Sequence, residues 1–238
     1  MLYTPDKSIW LNPNIDFLFN SDIIEYDIQD AGFSLTKEYH LLPNDIIKEL
    51  ESLPKGIKRH KQIGIIQRDN KIFTENLLQK FTEVRKWFIK VNNLTDNDII
   101  SVKKDAIYTI GEVDNTKLNS IIFRNKNIYS SYIRFPDNLN MEIYYYDNKL
   151  DIKGMTESCI NRHRLHMIEF LRQTINMIEN HDGKVKRFII NFINDYKNQS
   201  LDEMYYLEFN NISKEFNPEF NYLKIIIPLV QIIQKEVS

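Results

Sequence analysis

The spacing of apolar residues changes several times along the chain and divides it into strand-like and helix-like segments. Asp22 to Ile28 alternates apolar with polar residues and predicts a strand. Apolar residues at helical spacing predict helices from Ser34 to Leu42, from Pro43 to Leu53 and from Phe73 to Val91. Between the last two helices, residues 54–62 read PKGIKRHKQ, which predicts a basic loop.

The second half of the chain begins with strand patterns and ends with helix patterns. Ile99 to Ile110 is apolar on both sides of a polar Lys-Lys-Asp step, which predicts two short strands joined by a tight turn. Further strands are predicted at 119–123, 128–135, 141–146 and 150–152, and helices at 157–179, 184–196 and 222–237. This order is typical of the α+β class. We expect an N-terminal arm over 1–21, a sheet domain over 22–155 and a helical segment over 156–238.

The composition excludes several classes of protein. The 238 residues include 31 Lys and Arg against 33 Asp and Glu, a formal net charge of -2, so a wholly basic nucleic-acid coat is excluded. The longest apolar run, 223–233, is shorter than the roughly 20 residues of a membrane span. No signal-peptide pattern opens the chain, and the single cysteine, Cys159, cannot form an internal disulfide. We therefore expect a cytoplasmic protein without membrane association. The excess of Ile, Asn and Lys is typical of an A/T-rich genome, such as that of a phage or of a low-GC bacterium.

The only two alanines of the chain mark two candidate sites. In DIQDAGFSL, residues 27–35, carboxylates follow a predicted strand and precede small residues, which suits a hard cation such as Mg²⁺. In KKDAIYTI, residues 103–110, Asp105 projects from the tip of the predicted hairpin. Each pattern has a structural alternative. Asp27 and Asp30 can be strand-end and helix-cap carboxylates, and the second segment can be an ordinary charged turn.

Together the two segments resemble motifs A and C of the polymerase palm domain. DIQDAGFSL is similar to motif A of family B DNA polymerases and also of reverse transcriptases, with Asp27 on the invariant aspartate and Ser34 on the serine. KKDAIYTI is similar to motif C of family B, an Asp-Thr-Asp-Ser hairpin. Asp105 falls on its second aspartate, and Lys103 replaces the first.

The resemblance covers roughly residues 22–215 and favours family B. The stretch Lys126 to Tyr129 is similar to the Lys-rich strand after motif C, and Lys153-Gly154-Met155 is similar to the Lys-Gly-apolar element before the thumb. The family's fingers motif, Lys-x-x-x-Asn-x-x-Tyr-Gly, is absent. Gly32 stands at the steric-gate position, where the family has Tyr or Phe, so the resemblance implies a pocket that does not exclude ribonucleotides.

The resemblance implies a palm-like antiparallel sheet with helices on one face, followed by a thumb-like helical segment. It implies two-metal nucleotidyl transfer on a primer-template, with Mg²⁺ or Mn²⁺ held by Asp27, Asp105 and the carbonyl of Ile28. Nucleotide or nucleic acid would meet Gly32 and a set of basic residues, namely Lys58, Arg59, Lys61, Lys126, Lys153, Arg162 and Arg164.

Two other hypotheses stay open. The chain is alternatively a palm-like protein that has lost catalysis and binds nucleic acid, as primer-template or single strand, or a replication or transcription protein. Lys103 and Lys104 favour this alternative, because cations beside Asp105 weaken metal binding. The third hypothesis is a phage structural or interaction protein whose motif matches are accidental. Asp27 and Asp105 should be adjacent under the first two hypotheses, and a lysine ammonium in their pocket would favour the second.

Overall fold

Strands and helices follow the predicted order over most of the chain. The structure, a computed structural model, describes residues 8–135, 141–154, 168–201, 207–210, 213–216 and 233. Antiparallel sheets combine with helices, so the predicted α+β class is confirmed. The elements up to residue 129 are β1 (Trp10–Leu11), β2 (Phe17–Leu18), β3 (Ile23–Ile28), α1 (Ala31–Glu38), α2 (Asn44–Ser52), α3 (Ile57–Asp69), α4 (Lys71–Val91), β4 (Ile99–Val102), β5 (Ala106–Ile110), β6 (Lys117–Leu118) and β7 (Ile121–Tyr129).

The later elements are shorter strands followed by two helices. They are β8 (Ser131–Arg134), β9 (Glu142–Tyr146), β10 (Lys149–Lys153), α5 (Glu169–Glu179), α6 (Val185–Lys197), β11 (Leu207–Asn210) and β12 (Ser213–Phe216). The chain divides into two compact units, one of Met1–Pro13 with Ile23–Ile128 and one of Asn14–Asp22 with Tyr129–Ser238. The boundary predicted at 155/156 and most of the helix predicted at 222–237 lie outside the described residues.

A six-stranded sheet with the order β1-β4-β5-β3-β7-β6 forms the centre of the first unit. Strand β5 is antiparallel to both β3 and β4, so these two outer strands run parallel to each other. The chain passes from β3 to β4 through all four helices and then returns directly through the β4–β5 hairpin. This connection places the end of β3 beside the tip of the hairpin.

The four helices cover one face of this sheet. Side chains of a strand point alternately to its two faces, and Ile24, Tyr26 and Ile28 of β3 lie in the same core cluster as the helix residues. The ring of Phe88 on α4 lies 5.5 Å from that of Tyr26 and 4.3 Å from that of Phe123 on β7. Glu25 and Asp27 therefore point to the other face, away from the apolar core.

Several local predictions were wrong. Strand β7 runs without a break over Ile121–Tyr129, where two strands were predicted at 119–123 and 128–135. The predicted basic loop is helix α3, whose inward side carries the buried residues Arg59 and Ile63, so a charged residue interrupts the apolar stripe that identifies a helix. Helix α1 begins at Ala31, three residues before the predicted start at Ser34. The predicted arm contains β1 and β2, which are only two residues each and too short to show a period.

The second unit has its own sheet and core. Its sheet has the order β10-β9-β8-β2, and helices α5 and α6 share an apolar cluster with it. The rings of Phe170 on α5 and Phe192 on α6 stack at 3.8 Å. Among the residues that the structure describes, no helix is both long enough and apolar enough to cross a membrane.

Phe88 should be a major source of stability in the first unit, because its side chain is completely buried between the sheet and α4. We expect Phe88→Ala to lower the free energy of unfolding by about 3–5 kcal/mol. Leu78, on the same helix, is 41% exposed, so Leu78→Ala should cost about 0.5 kcal/mol. Urea denaturation followed by circular dichroism measures both variants. Equal losses of unfolding free energy in the two variants would contradict the placement of Phe88 in the core and of Leu78 at the surface.

Candidate functional site

The two aspartates identified from the sequence lie on neighbouring strands. Asp27 pairs with Ala106 in the antiparallel register of β3 and β5, one residue from Asp105. The backbone N–H of Ile28 donates to the carbonyl oxygen of Asp105 at 3.0 Å. Both aspartates line one pocket of about 230 Å³. The sheet thus brings the two segments together as the motif order predicts.

The pocket has charged and apolar walls. Its carboxylates are Asp27, Asp30 and Asp105, and its basic groups are His60, Lys104 and Arg124. The remaining lining comes from Ile28, Ala31, Gly32, Ile63, Gln67, Leu77 and Phe81. Acidic and basic groups are therefore mixed within one cavity.

Gly32 allows helix α1 to approach helix α3 closely. A Cβ atom on Gly32 would lie 3.3 Å from the Cγ2 atom of Ile63, which is tighter than ordinary van der Waals contact. Gly32 lines the same pocket as Asp27 and Asp105. The structure thus gives this glycine a packing reason in addition to its position at the pocket.

Arg124 binds the carboxylate of Asp27 through two nitrogens. Its Nε lies 2.6 Å from Oδ1 and its Nη2 lies 3.1 Å from Oδ2, so both oxygens of Asp27 accept hydrogen bonds from one guanidinium. This side-on, two-bond geometry is the strong form of an arginine–carboxylate pair. The hydrogen bond to Asp27 raises the pKa of Arg124 above its ordinary value. Asp27 is therefore neutralised from within the protein.

Lys126 extends this pairing along the same face. Its Nζ lies 2.8 Å from Oε1 of Glu25 and 3.6 Å from Oδ2 of Asp27. The Nδ2 of Asn127 donates to the other Glu25 oxygen at 2.8 Å. Glu25 is 2% exposed, and a carboxylate this deeply buried needs such partners to stay charged. Arg124 and Lys126, two residues apart on β7, thus neutralise Asp27 and Glu25, two residues apart on β3.

A buried arginine supports the tip of the β4–β5 hairpin. Arg85 on α4 is 1% exposed, and its Nη1 donates to the carbonyl oxygen of Lys104 at 2.7 Å. The ammonium of Lys104 lies 5.1 Å from the centre of the Phe81 ring. These contacts hold the backbone just before Asp105 against α4.

Arg59 and Asp30 have structural roles that differ from the expected ones. Arg59, expected to contact phosphate, is 4% exposed, and its guanidinium donates to the carbonyl oxygens of Leu50, Glu51 and Leu53. Its Nη1 also donates to Oδ2 of Asp30 at 2.6 Å. Asp30 precedes α1 in a left-handed conformation with φ 50°, and its side chain makes no capping hydrogen bond. Its carboxylate instead joins α1 to α3.

The other predicted contact residues are spread over the chain. Lys58 and Lys61 lie on α3 and are exposed. Lys153 on β10 forms an ion pair with Asp151 at 2.8 Å. Arg162 and Arg164 lie outside the described residues.

The described residues do not fit a two-metal centre. They include no group of three or more His, Cys, Asp and Glu side chains placed to hold a metal ion. Mg²⁺ binds through carboxylate oxygens, and both oxygens of Asp27 already accept hydrogen bonds from Arg124. Lys104 contributes a further positive charge to the pocket. A cation that approaches Asp27 would compete with the guanidinium for these oxygens.

Sequence reasoning missed Glu25, Arg85 and Arg124. Arg124 is 97 positions from Asp27, and the pairing depends on the strand order, which local periodicity does not reveal. One signal was present. Arg124 and Lys126, which lie between the predicted strands 119–123 and 128–135, are spaced two residues apart like Glu25 and Asp27. Opposite charges at facing positions favour cross-strand pairs.

Comparison with known proteins gives one family. A model of the family described as "Bacteriophage PBS1 gene 130 protein" matches residues 1–223. No curated protein matches the chain.

The Arg59–Asp30 pair should stabilise the helical layer. Asp30→Asn tolerates the left-handed backbone but leaves the buried guanidinium without its carboxylate, and we expect a loss of about 3 kcal/mol in unfolding free energy. The control is Asp69→Asn, because Arg68–Asp69 is an arginine–aspartate pair on an exposed surface. The control should unfold like the wild type in urea. If the urea midpoint of Asp30→Asn equals that of the wild type, the hydrogen bonds from Arg59 to backbone carbonyl oxygens are sufficient to hold the guanidinium.

Proposed function

Since the chain belongs to the bacteriophage PBS1 gene 130 protein family, we propose that it is a palm-like phage protein that binds nucleic acid in the host cytoplasm. In this proposal it carries out no metal-dependent nucleotidyl transfer of its own. The observation that carries the proposal is the bidentate Arg124–Asp27 pair, which occupies the carboxylate on which a two-metal reaction depends.

The connection of strands supports the palm-like part of the proposal. The chain runs from β3, the strand of Asp27, through a helical crossover to the β4–β5 hairpin of Asp105. Strand β5 of this hairpin lies beside β3. This is the order of motifs A and C in the resemblance to family B polymerases. Helices on one face of the sheet fit the expected palm-like arrangement, and Glu25 and Asp27 lie on the other face.

The surface of α3 supports nucleic-acid binding. Lys58 and Lys61 are exposed and three residues apart, so they project from neighbouring positions on the helix. His60 and Ile63 of the same helix line the Asp27 pocket. Lysines at this position offer phosphate contacts that give salt-dependent affinity without sequence preference. Lys126 and Lys153 contribute less, because each is already paired with a carboxylate.

We expect the protein to bind labelled single-stranded DNA and primer-template DNA with an affinity that falls as salt rises. For a single strand, each phosphate contact contributes about 0.7 to the slope of log affinity against log salt. The double variant Lys58→Ala/Lys61→Ala should therefore reduce that slope by roughly 1.4. Fluorescence anisotropy from low to moderate salt, in the presence of EDTA, measures the slope.

The matched control is Lys48→Ala/Lys117→Ala, which removes the same charge from exposed positions on α2 and β6. It should retain the wild-type slope. Absence of binding at low salt would overturn the nucleic-acid proposal and leave a replication or transcription protein as the partner to test. Equal losses in the two double variants would show that net charge acts without a defined site.

A second candidate function is a minimal template-directed nucleotidyltransferase. One observation favours it, namely that Asp27 and Asp105 line a single pocket at adjacent strand ends. In this candidate, Arg124 releases Asp27 when metal and nucleotide bind. The ion pair in the structure supports the non-catalytic proposal more directly.

Primer extension separates the two candidates. The non-catalytic proposal predicts no extension by the wild type with Mg²⁺ or Mn²⁺, with deoxyribonucleotides or with ribonucleotides, under conditions where DNA binding is measured. Extension that disappears in both Asp27→Asn and Asp105→Asn would establish the nucleotidyltransferase instead. Extension that persists in both variants would indicate a contaminating polymerase.

A further inference from the structure

Asp27 is a carboxylate that must be neutralised, because its side chain is only 12% exposed. A buried carboxylate can be neutralised by a proton, by a bound metal ion or by a basic side chain. The structure supplies the basic side chain. Arg124 reaches from the adjacent strand, and its two hydrogen bonds occupy both oxygens of the carboxylate.

The guanidinium also lies on the open side of the site. The Arg124 side chain is 53% exposed, although the carboxylate that it binds is buried. Arg124 and Asp27 both line the pocket, and Asp105 lies at the same pocket. The positive charge thus sits between the buried carboxylate and solvent, at the approach that a cation from solution would take.

We propose that Arg124 is a tethered cation that takes the place of a divalent metal ion on Asp27. It keeps the pocket charge-balanced in the absence of metal and excludes divalent ions from it. This inference rests on the proposed palm-like function. It adds that Arg124 controls the access of divalent ions to the Asp27 pocket. Its consequence is specific: removal of the Arg124 charge creates a divalent-cation site formed by Asp27 and Asp105.

Lys126 does not replace Arg124 in this role. Its Nζ lies 3.6 Å from Asp27 but 2.8 Å from Glu25, so its shorter contact is with the other carboxylate. Without Arg124, Oδ1 of Asp27 loses the hydrogen bond that it accepts at 2.6 Å. Asp27 and Asp105 both still line the pocket. Lys104 remains as a positive charge at the pocket, and it limits the affinity of the new site without occupying Asp27.

The experiment measures Mn²⁺ binding to the full chain without nucleic acid, by the electron paramagnetic resonance signal of free Mn²⁺. We expect weak binding by the wild type. Arg124→Ala and the longer, uncharged Arg124→Gln should each bind one Mn²⁺ about tenfold more tightly or better, because a unit positive charge a few ångströms from the ion is gone. Adding Asp27→Asn to either variant should abolish the gain. Adding Asp105→Asn should reduce it.

The control is Arg68→Ala, which removes an arginine from a bidentate pair with Asp69 on the exposed side of α3. It should bind Mn²⁺ like the wild type. As a second readout, Mn²⁺ should raise the melting temperature of the two Arg124 variants but not that of the wild type or the control. Two Arg124 variants are used so that a folding defect in one leaves the other to decide.

Wild-type Mn²⁺ affinity in both Arg124 variants would overturn the proposal. A gain that survives Asp27→Asn would also overturn it, because the site would then lie elsewhere. Tight Mn²⁺ binding by the wild type that is lost in Asp27→Asn would show that the metal displaces the guanidinium. None of these results depends on DNA binding, so failure of the nucleic-acid proposal and failure of this inference can be told apart.

Discussion

The antiparallel register between β3 and β5 is the constraint on which the site depends. It pairs Asp27 with Ala106 and brings the backbone N–H of Ile28 to the carbonyl of Asp105. Side chains alternate between the faces of a sheet, so a shift of one residue would send Glu25 and Asp27 into the apolar core. The same shift would expose Tyr26, whose ring packs against Phe88. The core and the charged face therefore enforce one register together.

Three arginines bind carboxylates and carbonyl groups near the pocket in the first unit. Arg59 joins the start of α1 to carbonyls at the end of α2, Arg85 supports the hairpin tip, and Arg124 neutralises Asp27. Arginine suits these positions because its planar guanidinium offers five donors in fixed directions and stays charged when buried. Each arginine joins segments that lie close in the fold but apart in sequence. The polar groups near the pocket thus stabilise the arrangement of the elements as well as its charge.

Local pattern predicted the elements whose apolar period is uninterrupted. The strand of Asp27, the hairpin around Lys103 and Lys104 and the long helix α4 all follow the alternation or helical spacing of their own residues. Helix α3 was missed because Arg59 occupies an inward position, which apolar periodicity does not recognise as core. The adjacency of Asp27 and Asp105 could be predicted only from the motif order. The partner of Asp27 could not be predicted in this way, because the apolar pattern of β3 and β7 does not show that the two strands are neighbours.

The small residues at the pocket explain why a cavity persists beside an ion pair. Ala31 and Gly32 both line the pocket, and Gly32 lets α1 approach Ile63 of α3 closely. A larger side chain at either position would press on a wall of the pocket, because interiors are close-packed and leave few voids. Side-chain charge balances the carboxylate, and small residues preserve the space around it. A strand-end aspartate can therefore be retained in a fold that holds its charge without a metal ion.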